Sequence, residues 1–145
     1  MRSYIVGLLV VASLAACDTT RSLSTSDRAA LTAHEEQWDA RDFHSYSFDY
    51  SQSSLGRAYN VHIEVQDDTV ASVVDTDTGE PPATPMTWPT IDGLYNEAEA
   101  AVQQDNYTVT LAYDDQYGYP TLLSITSNNP GGGFVARVSN LQPTG

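Results

Sequence analysis

The sequence predicts an α+β domain: two amphipathic helices packed on one face of a curved antiparallel sheet of about six strands. Three observations point there. Short runs alternate apolar with polar residues, the period of a half-buried strand. Two other stretches, Ser26 to Arg41 and Ile91 to Gln103, carry apolar residues at the spacings of a helix lying on a core. The elements also run helix, strand, strand, strand, and then repeat that order, a plan without βα alternation.

The chain of 145 residues has room for one domain. It opens with a leader. Met1-Arg2-Ser3 is a short positive region, and the apolar stretch from Tyr4 to Ala16 is too short to span a ~30 Å hydrocarbon layer. Residues 1–16 therefore read as a signal peptide. Leu14-Ala15-Ala16-Cys17 resembles the lipobox of bacterial lipoproteins. The resemblance implies cleavage before Cys17, a diacylglyceryl thioether on its sulfur and further acylation, palmitate for example, on the new amine. Cys17 is the sole cysteine, so a disulfide within the domain is excluded. Two or three acyl chains hold a protein to a bilayer far more firmly than one. Residues 17–25 then form the lipidated cysteine and its tether, whose polar part (Asp18 to Thr25) reaches about 26 Å when stretched.

The domain is expected over residues 26–142. Ser26 can cap the first helix and Asp27 suits its positive end, while Leu31 and Trp38 share one face, Trp38 being the anchor on the sheet. Tyr46, Phe48 and Tyr50 alternate with Ser47, Asp49 and Ser51 in a first strand. Beyond a Ser53–Gly56 loop, Tyr59, Val61, Ile63 and Val65 mark a second. Gln66 to Thr69 is a tight turn into a third strand, Val70 to Val74. Asp75 to Pro89 holds four of the seven prolines and reads as an exposed connection. Thr90 can cap the second helix, whose stripe is Ile91, Leu94, Tyr95, Ala98, Ala101 and Val102. Tyr107 to Thr126 is a long hairpin turning at Asp114-Asp115-Gln116-Tyr117-Gly118, with Pro120 opening the return. Phe134 to Leu141 is the last strand.

Charge narrows the function. Nineteen acidic residues stand against six Arg with no Lys, a net charge of −13 that becomes −14 once Arg2 leaves with the leader. A field of that sign repels phosphate, so nucleic-acid binding is excluded; it suits solubility, a salty habitat or a cationic partner.

Several of these features together resemble the bacterial domain of unknown function 6174 family. They are the lipobox leader, a first helix ending in Trp38 ahead of Tyr46, the turn Gln66 to Val70, the helix start Thr90 to Tyr95, and YDDQYGYPT at Tyr113 to Thr121. The resemblance runs from about Arg28 to Leu141, although the Gly common near Asp68 in such families is missing. It implies a small exported or lipid-anchored domain on the extracytoplasmic, periplasmic side of a membrane of the bacterial cell envelope. It carries over no activity.

No catalytic set is expected, and no cofactor or metal. The G-x-S-x-G elbow of a serine hydrolase is missing. His34 to Trp38 begins like a zincin helix, but Trp38 stands where the second His belongs. Asp75 to Glu80 resembles a calcium loop poorly: its Gly comes one position early and no acid closes it. His62 and Glu64 should face away from the core beside Asp49, a cluster able to bind a metal or move a proton in a suitable register, or else simply a solvated sheet face. His34 and His44 read as packing or surface groups. The expectation is a non-enzymatic module that binds an envelope protein or peptide through the polar sheet face and the turn residues Asp114, Asp115, Tyr117 and Tyr119. A binder of a glycan or divalent cation is the alternative.

Overall fold

Alternation builds six strands and the helical stripes build two helices, as the computed structural model shows for residues 25–130 and 132–144. The leader, Cys17 and nearly all of the tether lie outside these described residues, as does the side chain of the expected cap Ser26. In chain order the elements are α1 (Thr25–Asp39), β1 (Tyr46–Ser54), β2 (Arg57–Gln66), β3 (Thr69–Asp75), α2 (Ile91–Val102), β4 (Tyr107–Tyr113), β5 (Pro120–Ser127) and β6 (Gly133–Pro143). All neighbours pair antiparallel in one sheet ordered β3-β2-β1-β6-β5-β4. A two-fold axis normal to the sheet would set β4 beside β1. Since β6 lies there, the repeated element order is not a rotational duplication.

The first hairpin is tighter than the composition suggested, while the second makes the tight turn expected of Gln66 to Thr69. Ser53 and Ser54 belong to β1, and only Leu55 and Gly56 turn the chain, both at positive φ. Asp67 and Asp68, φ 47° and 59°, make the corresponding turn between β2 and β3. These left-handed pairs match the twist of the strands they join. Asp tolerates that region because its short side chain bonds locally, so the turn needs no Gly.

One face of the sheet is apolar and covered. Tyr46, Phe48 and Tyr50 of β1, Val61, Ile63 and Val65 of β2, Leu123 and Ile125 of β5, and Ala136 and Val138 of β6 pack under Leu31 and Trp38 of α1 and Ile91, Leu94, Tyr95 and Ala98 of α2. Trp38 has no exposed surface. It meets Tyr46, Phe43 and Tyr119 edge-on, while its indole N–H donates to Asp92 Oδ1 at 3.2 Å. The guanidinium of Arg41 lies 4.0 Å over its ring and donates to Asp68 at 2.7 Å, tying α1 to the β2–β3 turn.

The helices run antiparallel to each other: Trp38 at the end of α1 meets Asp92 at the start of α2, and Arg28 near the start of α1 donates to the carbonyl of Val102 at the end of α2. Thr90 caps α2 as expected, its hydroxyl accepting from the Gly93 N–H at 3.1 Å. The Ile91 N–H, another orphan donor of that first turn, is satisfied by the hydroxyl of Tyr46. The connection 76–90 is largely exposed, but Trp88 folds back edge-on against Tyr50 and Tyr59.

Candidate functional site

Two places carry the chemistry read from the sequence, and the fold treats them differently. The first is the β4–β5 turn. Asp114 Oδ1 accepts from the N–H groups of Gln116 and Tyr117 at 3.0 and 2.7 Å, and the Gly118 N–H bonds the Asp114 carbonyl. That closes the turn on itself. The closed turn is then docked on α1. Gln37 donates to the carbonyls of Asp115 and Gln116, the buried Tyr95 hydroxyl donates to the carbonyl of Gly118, and Tyr117 packs edge-on against Phe43. Tyr119 is 8% exposed. The projecting tyrosines expected of this turn thus face inward, Tyr119 wholly and Tyr117 in part, and of the four residues only Asp115 is exposed. Packing against Trp38 and Phe43 outweighs the polar neighbours, because an aromatic ring buries far more surface than a turn of this size leaves outside.

The second place is the sheet face turned away from the helices. Register sets Asp49 of β1 directly between His62 of β2 and Ser139 of β6. His62 Nδ1 lies 2.7 Å from Asp49 Oδ1; because an ionised carboxylate only accepts, Nδ1 carries the proton and Nε2 is left for another partner. The other carboxylate oxygen accepts from Asn140 Nδ2 at 2.7 Å.

Asn140 reaches that oxygen because β6 bulges. Asn140 and Leu141 together oppose the single residue Phe48, and Asn140 takes φ 52°. Leu141 is buried with the core, while the inserted Asn140 swings to the open face. Bulges commonly re-aim a side chain in this way. The Asn140 amide first, and His62 second, hold the Asp49 carboxyl below the usual carboxylate range against the opposing effect of burial.

Glu64, expected to complete the cluster, does not join it. Two residues further along β2 it sits opposite Ser47 and Ser72, and accepts from the Ser72 hydroxyl at 2.8 Å. Asn140 takes the third place instead. Among the described residues no three His, Cys, Asp or Glu side chains gather as a metal site would need.

The remaining sequence candidates resolve as structure. His34 stacks on Tyr113 at 4.0 Å, and His44 pairs with Asp68. Asp75 Oδ1 accepts from the Asp77 and Thr78 N–H groups, so the calcium-like loop closes on its own backbone. A shallow crevice of about 270 Å³ lies at the hairpin tips, lined by Ser53, Leu55, Thr126 and Phe134 among others, and none of its lining side chains titrates.

The open face is polar with some apolar area. Around Asp49, His62 and Asn140 lie Ser47, Ser51 and Ser139, with Val74 and Leu122 adding half-buried apolar area. His62 and Asp49 are 39% and 38% exposed, wet enough to offer charge and hydrogen bonds to a partner. No helix among the described residues is long and apolar enough to cross a membrane. No curated protein and no solved structure matches the chain. The family model of unknown function DUF6174 matches residues 30–143, which takes in both helices apart from the start of α1 and all six strands: the chain belongs to the DUF6174 family.

Proposed function

We propose that this is a lipid-anchored protein of the bacterial envelope, held through Cys17, whose domain binds another protein or an extended peptide on the helix-free side of its sheet and catalyses no reaction. The observation that carries the reading is the contrast between the two sides. Both helices and the aromatic turn crowd onto one face, whereas the other keeps an oriented Asp49–His62–Asn140 group on a helix-free, half-wet surface. An open array of small hydroxyls around a fixed charge suits a broad macromolecular contact better than a small ligand, which needs an enclosing pocket. The anchor supports the reading from the sequence side, since a lipid-held domain on a short tether meets its partners at the membrane surface.

Co-purification from detergent-extracted membranes tests it. Ser51→Arg places bulk and charge on the open face, and Asn96→Arg makes the same change on the exposed side of α2. The proposal expects the first to remove proteins that the unaltered chain retains and the second to keep them. Equal retention by both would contradict it. For the anchor, Cys17→Ser is expected to release the protein from carbonate-washed membranes.

A further inference from the structure

We infer that the β4 edge receives an extended segment of a partner by strand addition, a segment of about seven residues with apolar side chains at alternate positions and basic residues at both ends. This goes beyond the binding reading above, since the β4 edge lies three strands away from the Asp49 face in the same sheet.

The sheet has two edges, and they differ. On β3 the bulge lies in the edge strand itself: Ser72 pairs with Glu64 and Val70 with Val65, so Ala71 is extra and bends the edge. Its last N–H, on Asp75, already donates to the Glu80 carbonyl. Those are the devices by which an edge is protected. In the outer hairpin the extra residue is Thr121, on β5, which leaves β4 continuous. Across Tyr107–Tyr113 there is no charge, no Pro and no Gly. Among the described residues β5 is the only strand beside β4.

Backbone direction can be read from the ladder. The Asn128 N–H donates to the Asn106 carbonyl, so Asn106 and then Thr108, Thr110 and Ala112 turn their backbone groups toward β5. Val109 and Leu111 turn both N–H and carbonyl outward, and the Tyr107 carbonyl joins them. An incoming strand finds this row of donors and acceptors already spaced. Its side chains on the helix side would lie beside Leu111 and Tyr113, both half-buried at the rim of the core, which selects apolar residues at alternate positions.

Charge selects the ends and opposes a second copy paired about the middle of β4. Asp105 stands just before β4, and Asp114 with Asp115 just after it. A closed pair of identical edges is two-fold and therefore antiparallel. Centred on Thr110, it would set Asp105 against Asp115 of the other copy at both ends, between molecules that each carry a net charge of −14 once Arg2 leaves with the leader. A foreign segment with Arg or Lys at each end meets the same carboxylates favourably.

The test is panning of a random nonapeptide phage library on the full-length protein in detergent, followed by anisotropy titration of the enriched peptides. Enrichment of alternating apolar peptides with basic ends is expected. Two variants report on the mode. Asp105→Asn with Asp115→Asn, both exposed, should weaken binding about tenfold at low salt and flatten its salt dependence. Leu111→Pro removes an outward N–H while sparing the β5 ladder and should weaken binding at least tenfold. Hydrogen exchange should show Val109 and Leu111 newly protected by the peptide. Failure of any peptide to enrich, affinity indifferent to both variants, or self-association through β4 overturns the edge assignment. If Ser51→Arg nevertheless strips partners from the membrane extract, the binding reading survives that loss; if it does not, both fall.

Discussion

Adding one methyl group at Gly118 should unlock the β4–β5 turn from α1. Gly118 has φ 82°, and a Cβ there would come to 2.6 Å from the His34 carbonyl oxygen and 3.0 Å from Gln37 Cβ. Backbone cannot move aside cheaply, so the turn must back away from the helix. Gly118→Ala then carries three costs. Left-handed strain on a residue with a Cβ is about 1–2 kcal/mol. The two Gln37 hydrogen bonds contribute roughly 1 kcal/mol each. Leaving the buried Tyr95 hydroxyl without its Gly118 acceptor adds about 1–3 kcal/mol. Partial relaxation trims the sum, and we expect a loss of about 3–5 kcal/mol in urea unfolding at neutral pH. Gly56→Ala is the internal control: φ is 77° and nothing lies within 4 Å, so only the strain of about 1–2 kcal/mol should register. If the two variants lose the same stability, the docking of this turn on α1 is refuted.

Removing the hydroxyl of Tyr46 by substitution with Phe orphans the Ile91 N–H in the first turn of α2 and should cost about 1–3 kcal/mol, read by the same denaturant assay. Arg41→Met leaves Asp68 and Asp92 without their guanidinium; because both carboxylates are about 40% exposed, the loss should be about 1–3 kcal/mol and should shrink in high salt. The folded-state pKa of Asp49 is depressed, so its contribution is present above the ordinary carboxylate range and lost as pH falls through the lowered value. Stability of the unaltered protein and of Asp49→Asn should therefore differ by about 0.5–1 kcal/mol near neutrality and converge once pH falls below the lowered value, an outcome that an unchanged difference across that range would contradict. Burial raises the phenol pKa values of Tyr46, Tyr50 and Tyr95, and pushes Tyr113 up to about 12, with Asp27 adding to it. The fold keeps this contribution below pH ~10, where unfolded tyrosines begin to ionise, and loses it as pH rises toward the folded values. Absorbance titration near 295 nm should show these phenolates forming only together with alkaline unfolding.

How far the sequence could be read follows from the range over which each interaction acts. Strands with alternation as clean as Tyr46-Phe48-Tyr50 or Val61-Ile63-Val65, and a helix with a cap as plain as Thr90, declare themselves because their signals are local. The pairing of β1 with β6 joins residues about ninety positions apart, and no local pattern specifies it. The Asp49–His62 contact was legible on condition of register, since a one-residue slip would have sent every side chain to the other face. Asn140 was not. In Val138-Ser139-Asn140-Leu141 it sits where a strand simply continues, and the one available cue is that Asn accepts the left-handed region more readily than its neighbours. A polar turn ordinarily faces water, so the sequence points the tyrosines of the β4–β5 turn outward; their inward direction depends on α1 lying close above Gly118, a fact of tertiary packing.

The reading of the helix-free side as the working surface is tested most directly by placing a photo-crosslinking amino acid at Ser51 on the open face and, separately, at Asn96 on α2, in protein anchored in intact cells. The account predicts discrete protein adducts from Ser51, lost when Thr110 and Leu122 on the same side are made charged, and none from Asn96. Adducts that form equally from both positions, or from Asn96 alone, would contradict it.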